Sequence, residues 1–167
     1  AVAAAWAIAA LFLKGEDLSA FDRPSGERFS SGPEPSAELT TIVASLSGIG
    51  DALRGVPYRR RIPALREYLD KVFADRKFSA SFTAVDCAGV PGEWVLAEGA
   101  DSARRTLYIH GGGFVIGSPR SHRTLTSRFS ELTGGAVLAV DYRLMPEHSR
   151  MAGIEDCRTA YRWMLEH

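Results

Sequence analysis

The chain has 167 residues, 46% of them apolar, enough to build one folded core. Twenty basic residues (20) offset 20 acidic ones, and a formal charge of zero excludes a general attraction to nucleic acid or to anionic lipid. Cys87 and Cys157 form no C-x-x-C pair and fall on a predicted strand and a predicted helix, so they read as buried thiols rather than a disulfide.

The chain opens on an apolar run, Ala1 to Leu13, shorter than the ~17–25 residues a membrane-spanning helix requires. No basic segment precedes it and no clear small-x-small cleavage site follows. It reads as a hydrophobic helix packed on the protein, with a signal-peptide core or the end of a membrane anchor as alternatives. A cytoplasmic location is therefore expected, with membrane association through residues 1–13 as the other possibility. Gly15, Pro24, Gly26, Gly32, Pro33 and Pro35 then mark a linker. Ser36 opens a predicted helix with Leu39, Ile42, Val43, Leu46 and Ile49 on one side, weakened by Gly48 and Gly50 and ended by Gly55. Arg59-Arg60-Arg61 reads as a solvated helix approach. A second helix is predicted from Pro63 to Arg76, with Leu65, Tyr68, Leu69, Val72 and Phe73 as its apolar stripe. Residues 1–78 thus divide from a sheet-bearing portion, 79–167.

Phe82 to Val85 and Glu93 to Leu96 flank Gly89-Val90-Pro91-Gly92, which predicts a β-hairpin around a Pro-Gly turn. Gly99-Ala100-Asp101 is the next turn. Leu107-Tyr108-Ile109 has the look of a buried parallel strand and stops at His110-Gly111-Gly112-Gly113. Ser118 with Pro119 predicts a helix start, Leu125, Phe129 and Leu132 its apolar side, and Gly134 its end. Ala136 to Val140 is apolar throughout, as in a strand buried on both faces. A last helix is predicted from about Gly153, carrying Ile154, Cys157, Tyr161, Met164 and Leu165 on one side. Strand, helix, strand, helix after a hairpin argues an α/β fold with a parallel sheet covered on both faces.

Glycine can adopt positive φ and leave its amide uncovered, so a triplet off a strand tip aims bare N–H groups at an oxyanion or a phosphate. Two nucleotide motifs fail on the same residues. The dinucleotide pattern would need glycine where Ile116 stands, and Ser118-Pro119 replaces the Lys and Ser/Thr of a phosphate loop. No cofactor is expected. No histidine has metal-site spacing, so no metal is expected either.

Tyr108-Ile109-His110-Gly111-Gly112-Gly113-Phe114-Val115-Ile116-Gly117-Ser118 resembles the oxyanion-loop motif of the hormone-sensitive-lipase-like branch of the α/β-hydrolases. Val140-Asp141-Tyr142-Arg143-Leu144-Met145-Pro146-Glu147-His148, with Glu155-Asp156 after it, resembles the DYRLAPEH…ED segment of that branch, Met145 standing where alanine is usual. The resemblance covers about Phe82 to Leu165. It implies an incomplete α/β-hydrolase fold: N-terminal cap helices, a hairpin, then strand-helix-strand-helix, lacking the C-terminal half of the sheet. It implies a carboxylic ester hydrolase for short to medium acyl esters, with Gly111, Gly112 and Gly113 at the oxyanion hole and His110 orienting the loop. Asp141, Arg143 and Glu147 follow a buried strand, where unpaired charge is costly, and read as a paired scaffold rather than catalysts. His122 and His148 read as helix-surface or loop residues.

No serine has glycine two positions before and two after it, so the nucleophile elbow G-x-S-x-G is absent. In the resembled family nucleophile, acid and base follow the oxyanion loop in the chain. They are expected in a missing C-terminal half of the same protein or in a second copy, and this chain alone is expected to be inactive. The alternative is a non-catalytic small-molecule-binding or interaction protein on the same scaffold.

Overall fold

A computed structural model describes residues 35–72 and 77–167. The apolar segment 1–13, almost all of the linker, and Phe73 with the end of its helix lie outside them. From Glu38 onward the described residues form one compact unit. Helix α1 spans Ala37–Ala52. A 3-10 turn, Tyr58–Arg60, leads into α2, Arg61–Val72. Pro63 sits in the first turn of α2, where its missing N–H has no intrahelical acceptor to lose. Strands β1 (Ala80–Asp86), β2 (Pro91–Ala97) and β3 (Asp101–Ile109) follow. A 3-10 turn, Arg120–His122, precedes α3 (Arg123–Thr133), β4 (Gly135–Val140) and α4 (Arg150–Glu166).

The sheet order is β1-β2-β4-β3. β1 and β2 pair antiparallel from Ala80 opposite Ala97 to Asp86 opposite Pro91. β2 pairs antiparallel with β4, and β3 pairs parallel with β4 from Arg105 opposite Ala136 to Ile109 opposite Val140. The predicted hairpin is present, but its turn lies at Ala88-Gly89; Pro91 and Gly92 already belong to β2. Gly92 serves close strand approach, since a Cβ there would come within 2.9 Å of the Ala139 carbonyl.

β4 is buried along its whole length, as its apolar run predicts. Leu138 and Val140 join Cys87, Val90, Tyr142, Ala160 and Met164 in one core cluster. Strand alternation turns Val137 and Ala139 to the opposite face, where α3 lies. There Ser130 donates to the Gly135 carbonyl (2.6 Å) and accepts from the Ala97 amide (2.8 Å). Burying a Val or Leu side chain is worth about 1.5–3 kcal/mol, which makes β4 the strand around which the other elements assemble.

Four expectations need correction. Leu107-Tyr108-Ile109 is not in a fully buried strand: β3 pairs on one side only among the described residues, and Ile109 is 52% exposed. On α3 the buried positions are Thr126, Ser127 and Ser130, while Leu125, Phe129 and Leu132 are exposed; small side chains face the sheet, and the Ser130 hydroxyl bonds two strand ends. On α4 the buried positions are Gly153, Asp156, Ala160 and Met164; Tyr161 and Leu165 are exposed, and the helix begins at Arg150 because the Ser149 hydroxyl caps the Ala152 amide. On α1, Leu39, Ile42, Val43 and Leu46 are exposed, whereas the α2 stripe is half-buried as far as Val72. Cys87 is buried, Cys157 is half-buried, and both are free thiols.

Candidate active site

β3 delivers the chain to His110, and the loop that follows has its carbonyls held one after another. The buried Tyr142 hydroxyl, from the segment after β4, donates to the His110 carbonyl (2.8 Å). The His110 Nδ1 lies 2.8 Å from the Gly111 carbonyl, and since a carbonyl only accepts, Nδ1 carries the proton. The Gly112 carbonyl accepts from the Val115 and Ile116 amides, both at 3.1 Å. The Phe114 carbonyl accepts from the Met145 amide (2.8 Å).

In a trans peptide the N–H points opposite to its own C=O. Fixing the carbonyls of His110, Gly111 and Gly112 therefore directs the N–H groups of Gly111, Gly112 and Gly113 away from those partners. Among the described residues these three amides meet no acceptor. Gly112 has φ +117, and a Cβ there would run into the Ile116 carbonyl. At Gly117, φ +99, a Cβ would strike the His110 ring. Both positions need glycine for sterics as well as for backbone freedom.

His110 is only 3% exposed and stacks on Tyr142 with ring centroids 4.3 Å apart. Burial pushes its pKa down, against the pull of the Gly111 carbonyl, so the ring is neutral. With the proton on Nδ1, the Nε2 is a buried acceptor that meets no donor among the described residues. Burial raises the Tyr142 pKa and keeps its hydroxyl a donor.

The charged trio after β4 does not pair within itself. Arg143 makes a two-pronged bond to Asp156 (2.7 and 2.8 Å), and this holds the Asp156 carboxyl below its usual range. Glu147 pairs with Arg66 of α2, which likewise lowers its pKa. Asp141 has no cation partner among the described residues; desolvation first, then the charges of Asp70 and Glu93, push its carboxyl up. His148 lies in the exposed loop before α4. His122 is half-buried, its ring 5.4 Å from that of His110, and its Nδ1 lies 3.0 Å from the Ser121 hydroxyl.

Sequence reading did not single out two residues at the site. Tyr142 lies inside the Val140–His148 segment, and its position two residues after a buried strand is the signal that could have found it. Arg66 had no signal, because a lone arginine on a helix reads as solvated. Its Nε donates to the Val115 carbonyl (2.8 Å) and its Nη2 to the Met145 carbonyl (2.7 Å). Four residues on, Asp70 accepts from the Ser118 hydroxyl at the far end of the loop. Among the described residues no group of three or more His, Cys, Asp or Glu is placed to hold a metal, and no helix is long and apolar enough to cross a membrane.

Residues 106–167 match the alpha/beta hydrolase fold family. An acetyl-hydrolase of Streptomyces hygroscopicus is 47% identical over 74 residues, 44% of this chain and 24% of that protein. A carboxylesterase/phospholipase, LipF, of Mycobacterium tuberculosis is 46% identical over 66 residues, 39% of this chain and 18% of that protein. The crystal structure of an esterase from the bacterial hormone-sensitive lipase family superposes with a TM-score of 0.69 at 33% identity, over 80% of this chain and 44% of that one. The chain thus spans less than half the length of the relatives it matches.

Proposed function

We propose that this α/β-hydrolase chain, similar in sequence and fold to esterases of the hormone-sensitive-lipase kind, carries the oxyanion loop of a carboxylic ester hydrolase. The observation that supports this most is the pinning of three successive carbonyls, at His110, Gly111 and Gly112, which leaves the amides of Gly112 and Gly113 uncovered side by side. In acyl transfer a nucleophile adds to the ester carbonyl, the C=O electrons move onto oxygen, and the resulting oxyanion needs preorganised donors. One such donor is worth roughly 3 kcal/mol of barrier. Gly112 and Gly113 are assigned as the donors, Gly111 as their support, and His110 as the residue that orients them.

No serine in the chain stands in a nucleophile elbow. The nucleophile, acid and base are accordingly assigned to further polypeptide of the same protein or to a second copy, and the edge of β3 that has no partner strand among the described residues, and ends at the loop, is where such polypeptide would add. Acyl esters of short to medium length are the proposed substrates, and α1 and α2 are assigned to a cap beside the site. The test is steady release of p-nitrophenol from p-nitrophenyl acetate and butyrate by the full-length protein. Turnover is expected; saturable binding of the ester with no release of acid would replace this reading by that of a binding protein.

A further inference from the structure

Helix α2 reaches the glycine loop through Asp70, on the Ser118 hydroxyl, and through Arg66, whose guanidinium makes four short contacts. The Arg66 guanidinium donates to the Val115 carbonyl (2.8 Å), the Met145 carbonyl (2.7 Å) and both oxygens of Glu147 (3.0 Å each). The first of these bears on the site. The peptide between Val115 and Ile116 offers its C=O to Arg66, so its N–H points the opposite way, and it is this Ile116 N–H that bonds the Gly112 carbonyl. The Gly112 carbonyl in turn fixes the direction of the Gly113 N–H. Two rigid peptide planes therefore connect the guanidinium to an amide assigned to the oxyanion. The second contact reinforces the first: Met145 gives its carbonyl to Arg66 and its amide to Phe114, so the guanidinium ties both strands of this contact together. Glu147 neutralises the cation and holds its plane, a two-point geometry that lysine cannot reproduce.

We propose that Arg66 is a positioning residue for oxyanion stabilisation, coupling the seating of helix α2 to the direction of the Gly113 amide. It touches no reacting atom. This inference rests on the ester-hydrolase reading for its kinetic consequence but not for its structural one. Because the oxyanion exists only after attack, a misdirected amide lowers kcat and leaves KM nearly unchanged. Tilting one donor rather than deleting it removes part of the ~100-fold or more that a whole donor supplies, so a loss of about tenfold is expected.

The test compares Arg66→Met, Arg66→Lys and Glu147→Gln in the full-length protein, reading kcat and KM on p-nitrophenyl butyrate together with amide hydrogen exchange. Arg66→Met is expected to lower kcat about tenfold at constant KM and to speed exchange at Val115 and Ile116, with Val137 and Leu138 in β4 still protected. Arg66→Lys keeps the charge and falls between; it also carries the test if the methionine variant does not fold. Glu147→Gln leaves both carbonyl contacts in place while loosening the guanidinium plane, and is expected to lose clearly less kcat than Arg66→Met. Wild-type kcat and wild-type exchange at Val115 and Ile116 in Arg66→Met would overturn the proposal. So would a Glu147→Gln loss as large as that of Arg66→Met, which would assign the effect to the ion pair alone. Should the unaltered protein hydrolyse no ester, the ester reading falls by itself, and the exchange rates still decide whether Arg66 holds the loop.

Discussion

Tyr142 illustrates how much of this loop depends on single residues. Its hydroxyl is the only group seen on the His110 carbonyl among the described residues, and its ring is the surface on which the His110 imidazole stacks. Tyr142→Phe keeps the stack and removes the donor, which leaves a buried carbonyl unpaired at a cost of about 1–3 kcal/mol. Urea unfolding of that variant should show a lower midpoint with an unchanged slope; an unchanged midpoint would mean that water replaces the hydroxyl without loss. The glycines were legible in the sequence because no other residue tolerates φ +117 hard against a carbonyl. Tyr142 was half legible, through the segment it belongs to. Arg66 was not legible at all, because its significance comes from contacts 49 to 81 residues away along the chain.

At the scale of elements, periodicity located the helices and found the packed side of α2, but misjudged the faces of α1 and α3 and part of that of α4. Leu125, Phe129 and Leu132 form a helical stripe on α3, yet Leu132 is 69% exposed while Thr126 and Ser130 are fully buried. Hydroxyls are an unusual choice for a sheet-facing side, and here Ser130 closes the end of the sheet by bonding both Ala97 and Gly135. Ser130→Ala is expected to destabilise by about 1–3 kcal/mol, since an amide and a carbonyl lose their partner in a dry place. Leu132→Ala should fall within about 0.5 kcal/mol of wild type, as exposed substitutions do. Thermal unfolding of the pair checks this, and the reverse ranking would restore the stripe as the packed face. β4 was read correctly because a strand covered on both faces is apolar at every position. β3 was read as buried because local composition does not encode sheet order, and only the order β1-β2-β4-β3 makes it an edge.

At the scale of the molecule, the sheet of the described residues ends on β1 of the hairpin at one side and on β3 at the other. Along that end, Leu107, Ile109, Phe114, Tyr142, Ile154 and Tyr161 line an apolar cleft of about 420 Å³. An apolar stretch at a sheet edge is an arrangement that folded proteins cover, and the glycine loop opens directly after Leu107-Tyr108-Ile109, the apolar end of β3. The glycine loop and the β3 edge, unpaired among the described residues, thus meet at one place, so a polypeptide that paired with β3 would also arrive beside the uncovered amides. That is the architecture an acyl-transfer site needs, with the electrophile's oxygen held by one part of the protein and its carbon attacked by another. The most direct measurement is the rate at which a p-nitrophenyl alkylphosphonate, whose phosphonyl group mimics the tetrahedral intermediate, reacts with the full-length protein, followed by intact mass. A gain of one phosphonyl group per chain is expected in the wild type, with a rate at least about 100-fold lower in Gly112→Val, where the side chain displaces the loop. No covalent gain in the wild type, or an equal rate in both proteins, would contradict the assignment of the oxyanion loop.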